Sequence, residues 1–77
     1  MAMKGIKITE SNQQMLMARY NIPHDDLEMF PIGYIMITDF GDNGEERYEG
    51  VLTQARFDQS FAEGEALSNG FFAINRK

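Results

Sequence analysis

Residues 34–52, YIMITDFGDNGEERYEGVL, decide the fold. The opening YIMITDF is rich in β-branched and aromatic side chains, which fit a pleated, half-buried surface. GDNG at 41–44 supplies turn chemistry, because Gly and Asn tolerate the positive φ angles of tight hairpin loops. EERYEGVL at 45–52 then resumes an extended pattern. The three together predict a β-hairpin. In its first strand Ile35 and Ile37 face one side, and Tyr34, Met36, Thr38 and Phe40 face the other. Both sides are apolar, so this strand is expected to be central and at least partly covered on its second face. In the return strand Arg47, Glu49 and Val51 alternate with Tyr48, Gly50 and Leu52, and Gly50 is expected to mark a bulge.

Upstream of the hairpin, KGIKIT at 4–9 has Ile6 and Ile8 on one side and Lys7 on the other, a period-2 pattern that predicts a first strand. Thr9 and Ser11 are both candidate helix caps, and Ser11 with Gln14 fits the capping-box form. QQMLMARY contains strong helix formers and no Gly or Pro, so a helix is expected over about 10–21. Met15, Ala18 and Ile22 form one stripe on it, and Leu16 and Tyr20 an adjacent pair. Pro23 ends that helix and opens another, with Asp25, Asp26 and Glu28 at the positive end of its dipole. Leu27 and Phe30 in HDDLEMF are expected to face the core.

Downstream, Thr53 is a good cap for a third short helix over 54–62, where Phe57 and Phe61 share a face. Residues 63–70 read as a polar, glycine-containing loop. GFFAIN at 70–75 reads as a last strand, with Phe72 and Ile74 on one face. The expected fold class is α+β: one domain over 1–77, with a small antiparallel sheet of about four strands packed against two or three short helices.

Composition bounds the function. The chain has 77 residues, 43% of them hydrophobic and 12% aromatic, enough for a globular core and against disorder. It contains no cysteine, which rules out disulfides and thiolate metal sites and suits a reducing cytoplasm. No apolar run approaches the roughly 20 residues of a membrane helix. The N-terminal MAMKGIKITE lacks the apolar centre of a secretion signal. Twelve acidic residues against seven basic ones give a net charge of −5, which disfavours direct binding of nucleic acid or anionic membrane. The same charge suits a partner protein with a basic surface.

Several constellations invite chemistry and resolve into structure. Asp39-Phe40-Gly41 spells a kinase triplet, but the chain lacks every other kinase element. A calcium loop starting at Asp39 would place Gly41 and Gly50 where oxygen ligands are required. His24 with Asp25, Asp26 and Glu28 offers metal and acid/base residue types, yet one His among carboxylates is a weak ligand set, and a helix first turn accounts for the acids. Met15, Met17, Met29 and Met36 are read as core fillers rather than an adaptable surface. No cofactor is expected, and no catalytic residue is assigned.

The sharpest feature is the acidic hairpin. Asp39, Asp42, Glu45, Glu46 and Glu49 fall within eleven residues, interrupted only by Arg47. Alternate strand residues lie about 6.5–7 Å apart, close to the spacing of roughly 6–7 Å between phosphates along one DNA strand. A row of carboxylates at this spacing is one reading; a solvated turn is the other. As a partner interface the candidate residues are Asp39, Asp42, Glu45, Glu46, Tyr48 and Glu49, with the carboxylates steering a basic protein and Tyr48 anchoring it.

Pro31, Gly33, Tyr34, Ile35, Gly44, Glu45, Tyr48, Phe57 and Phe61 carry a resemblance. Over residues 31–61 the chain resembles a group of short tailed-bacteriophage accessory proteins of unassigned function. In that group a strand resembling Pro-Gly-Asp-Tyr-Ile precedes a Gly-Glu-x-Tyr hairpin and a helix with spaced phenylalanines. This chain reads PIGY in place of PGDY and has one more residue between Glu45 and Tyr48. The resemblance implies a phage origin and supplies no chemistry. The expectation is therefore a small non-enzymatic protein that modulates or inhibits a host protein, a nucleic-acid-binding protein being one candidate. The alternative is a virion or assembly component that self-associates as a homo-oligomer.

Overall fold

The computed structural model describes residues 3–28, 30–40 and 44–77. The elements are β1 (Met3–Lys7), α1 (Gln13–Arg19), α2 (His24–Glu28), β2 (Ile35–Phe40), β3 (Glu46–Leu52), α3 (Gln54–Ser60), β4 (Phe61–Ala66) and β5 (Phe72–Arg76). The fold is α+β, with a five-stranded antiparallel sheet in the order β3-β2-β1-β5-β4. The hairpin anticipated from residues 34–52 is β2–β3. The central strand is β1, with β2 beside it, and β3 and β4 are the edges.

The sheet has an apolar core on each face. On one, β1 contributes Ile6, β2 contributes Met36 and the chain after β1 contributes Ile8; they meet Leu16, Tyr20, Ile22 and Phe30 from the α1–α2 segment, together with Phe71. On the other, Ile35 and Ile37 meet Phe57 of α3 and Phe72 of β5. Phe71 and Phe72 are both buried, and as successive residues entering an extended strand they point to opposite faces. Coverage of both faces explains why β2 is apolar on both of its sides.

Four expectations change. Residues 61–66 form β4, where the end of a helix and the start of a loop over 63–70 were expected, because FAEGEA pairs along β5 with a register break between Glu63 and Ala66. Phe61 consequently ends α3 and begins β4, although its ring still packs on Phe57 at 5.7 Å between centroids. In α1 the buried stripe is Leu16–Tyr20, and Met15 is exposed. The entry to α1 is secured by Thr9 and Asn12, not by Ser11 and Gln14: the Thr9 backbone N–H donates to Asn12 Oδ1 at 2.8 Å, and the Asn12 N–H donates to Thr9 Oγ1 at 3.3 Å. Thr53 caps α3 as expected, accepting from the Arg56 N–H at 3.1 Å.

The bulge is in β3. Ile37 lies opposite Gly50 while Thr38 lies opposite Tyr48, so Glu49 is an extra residue. Gly50 has φ +156, a backbone that its lack of a Cβ permits. One extra residue reverses the alternation beyond it. Val51 therefore joins Tyr48 on the α1–α2 side, while Leu52 joins Ile37 on the α3 side. Strict alternation through β3, as read from sequence, fails for this reason.

Candidate functional site

Among the described residues, strand alternation puts Asp39 and Glu46 on opposite faces of the sheet, so these two do not stand in one row of carboxylates. Asp42 lies outside the described residues. Glu45, just before β3, is exposed, as is Glu49. The other candidates have internal partners.

Glu46 is the centre of a polar cluster on the α1–α2 face. It is ion-paired and hydrogen-bonded to Lys4, accepts from Tyr20 Oη at 2.8 Å, and lies 3.7 Å from Arg19 Nη2. Lys4 is itself buried, with its ammonium 4.1 Å from the Phe71 ring centroid and 5.2 Å from that of Phe40. The Lys4 contact, with help from Tyr20 and Arg19, holds the Glu46 carboxyl below its ordinary range. Burial, with Glu46 as acceptor, pushes the Tyr20 hydroxyl up to about 12. This cluster ties β1, α1 and β3 together, and Glu46 is not free to meet a partner.

Tyr48 is also engaged. It is half-buried against the same core, and its Oη donates to Asp26 Oδ2 of α2 at 2.9 Å. Burial and then the Asp26 carboxylate raise its hydroxyl far above the ordinary tyrosine value. The bond sets the acidic helix α2 beside the β3 edge. On that helix His24 Nε2 and Glu28 Oε1, one turn apart, meet at 3.2 Å on an exposed surface.

Asp39 and Glu49 share the α3 face with Arg47. Asp39 is 7% exposed, and its Oδ1 makes no hydrogen bond among the described residues. Arg47 Nε approaches that oxygen to 3.4 Å as an ion pair. The Asp39 carboxylate beside Glu49 raises the Glu49 carboxyl above its ordinary range. Glu49 lines an open depression of about 280 Å³ whose apolar side chains come from Ile37, Val51, Leu52 and Phe61. Thus the structure pairs Asp39 with Arg47 on one face and sets Glu46 and Tyr48 on the other.

Sequence reading missed two of these roles. Lys4 shares the parity of Ile6 and Ile8, so its inward direction was legible from the strand period. Asp26 as the partner of Tyr48 had no sequence signal, since it depends on where α2 lies. Among the described residues no group of three or more His, Asp or Glu side chains could hold a metal ion, and no helix is long and apolar enough to cross a membrane. Comparisons with protein-family models, with curated proteins and with solved structures find no match.

Proposed function

We propose that this chain is a small non-catalytic binding protein, phage-encoded, that modulates or inhibits a basic host protein in the host cytoplasm. The observation that carries the reading is the exposed Glu49 carboxylate, which lines an open depression with the apolar side chains of Ile37, Leu52 and Phe61. Excess negative charge steers a basic partner, and apolar burial next to it slows release. Glu45 adds a further exposed carboxylate at the start of the same strand. A nucleic-acid-binding protein is one class of basic partner. Mimicry of a phosphate row is not part of the reading, because Asp39 and Glu46 lie on opposite faces and both have internal partners. The edges of the sheet favour a different chain over a second copy. Both β3 and β4 carry a register break and glutamates, features that resist strand addition.

The test is affinity capture from a bacterial lysate at low and at moderate salt, using the wild-type chain and a Glu45→Lys/Glu49→Lys variant. Glu46 is left intact because it holds the fold. The expected result is one basic protein retained by the wild type at low salt, released as salt rises and not retained by the variant. Equal retention by both chains would overturn the reading. So would retention of nothing but the chain itself.

A further inference from the structure

We propose that Asn69 is a self-modification site gated by its own turn: its side-chain amide is lost to attack by the Gly70 backbone nitrogen, and only when the turn between β4 and β5 opens. The inference is independent of the partner reading, because no residue of this turn takes part in it.

The turn is defined by its hydrogen bonds and its backbone angles. The Phe71 N–H donates to the Ser68 carbonyl at 3.3 Å, and the Leu67 N–H donates to the Phe71 carbonyl at 2.8 Å. Between them Asn69 has φ 63° and ψ 26°, and Gly70 has φ 85°. Two successive left-handed residues make a type I′ turn, for which Asn-Gly is a preferred pair. Asn69 is the one non-glycine residue with a positive φ among the described residues. Both residues are exposed, so water reaches them.

Glycine has no side chain to shield its nitrogen. When the Gly70 nitrogen attacks Asn69 Cγ, the N–Cγ bond forms and the Cγ–Nδ2 bond breaks. The proton of that nitrogen leaves with the ammonia, and an imide remains. Water then opens the imide at either carbonyl. Opening at Cγ gives aspartate. Opening at the main-chain carbonyl gives isoaspartate, in which the chain runs through Cβ and Cγ and is one carbon longer. Base and water are the only reactants.

The native turn holds this reaction off. Attack requires the Gly70 nitrogen on the Cβ side of the bond between Cα and the carbonyl carbon. At ψ 26° the nitrogen is turned nearly opposite to Cβ, and the carbonyl oxygen takes the near side. No side-chain rotamer corrects this, since the obstacle lies in the main chain. Rotation about ψ gives up the bond from Phe71 to Ser68, so the turn must open first. That opening is local: β4 is an edge strand with a broken register, and such segments open at lower cost than central strands. Isoaspartate then makes the opening permanent, because the longer chain no longer fits the turn.

The experiment ages the full chain in mildly alkaline buffer, folded and, in parallel, unfolded in guanidinium chloride. Mass spectrometry of the tryptic peptide 57–76 reads the exchange of ammonia for water at Asn69, apart from Asn43, which also precedes a glycine but falls in another peptide. Conversion should be at least about tenfold slower in the folded chain, because it waits on local opening. The isoaspartate form, made in the unfolded chain and refolded, should exchange amide hydrogens faster over β4 and the start of β5, with β1 and β2 unchanged. Asn69→Asp carries the new charge without the extra carbon and should keep the wild-type protection. Equal rates in folded and unfolded chains, or no conversion at Asn69 in either, would overturn the proposal. So would an isoaspartate form as protected as the wild type, or an equal loss of protection in Asn69→Asp.

Discussion

Glu46 shows how position within a strand decides what a charge does. By sequence it is one acid among several; in the fold it neutralises a lysine buried between two phenylalanine rings. Glu46→Gln should therefore destabilise the chain by about 2–4 kcal/mol, because it leaves Lys4 buried without its counter-charge. Lys4→Met with Glu46→Gln should recover part of that loss, and denaturant titration of the three variants measures both effects. The same cluster sets two pH limits. The Glu46 carboxyl is depressed in the fold, so its contribution is present above the ordinary glutamate range and is lost as pH falls through the lowered value. The Tyr20 hydroxyl is raised to about 12, so its contribution is intact below its ordinary value of 10.0 and is lost as pH climbs from there through about 12. Thermal melts across pH should show stability falling in the alkaline window, and Tyr20→Phe should flatten that fall. Gly5 is a steric case: a Cβ would lie 3.1 Å from the Phe72 ring and 3.2 Å from Ile35. Gly5→Ala should cost about 1–3 kcal/mol by overpacking, read as a lower melting temperature.

Among elements, the hairpin and its bulge were the most legible. YIMITDF, the turn residues and Gly50 each gave a local signal, and local chemistry determines all three features. What the bulge does to Val51 and Leu52 was not legible, because the identity of the extra residue depends on pairing with β2. Strand β4 was hidden for a related reason. FAEGEA lacks an apolar period, and its extended state comes from pairing with β5 at the edge of the sheet. The acidic candidates were correctly seen to be concentrated in this hairpin. Their separation onto two faces follows from strand parity, and the contacts that occupy Glu46 and Tyr48 follow from where α1 and α2 pack. Helix α2 is only five residues long and buries none of them fully, so its position depends on a few bonds. Tyr48→Phe removes the bond to Asp26 and should cost about 1 kcal/mol. It should also raise hydrogen-exchange rates in α2 while leaving β1 and β2 protected.

For the molecule as a whole, the division of labour is between faces. On the α1–α2 face two acids have internal partners: Glu46 and Asp26 hold Lys4, Tyr20 and Tyr48, and so secure the sheet to the helices. The α3 face buries Asp39 against Arg47 and leaves Glu49 exposed in an open apolar depression. A net charge of −5 is mild for the whole chain, so its placement matters more than its size. Long-range steering depends on total charge, whereas specificity depends on which carboxylates the partner meets. The most direct measurement is the association rate constant of the captured host protein at two salt concentrations. It would be made with the wild-type chain, with Glu45→Lys/Glu49→Lys, and with Asp25→Lys/Glu28→Lys on α2. The account predicts that reversal on the hairpin slows association at least about tenfold at low salt and flattens the salt dependence, with a smaller change for reversal on α2. Equal rates for the hairpin variant and the wild type, or a larger loss from α2, would contradict it.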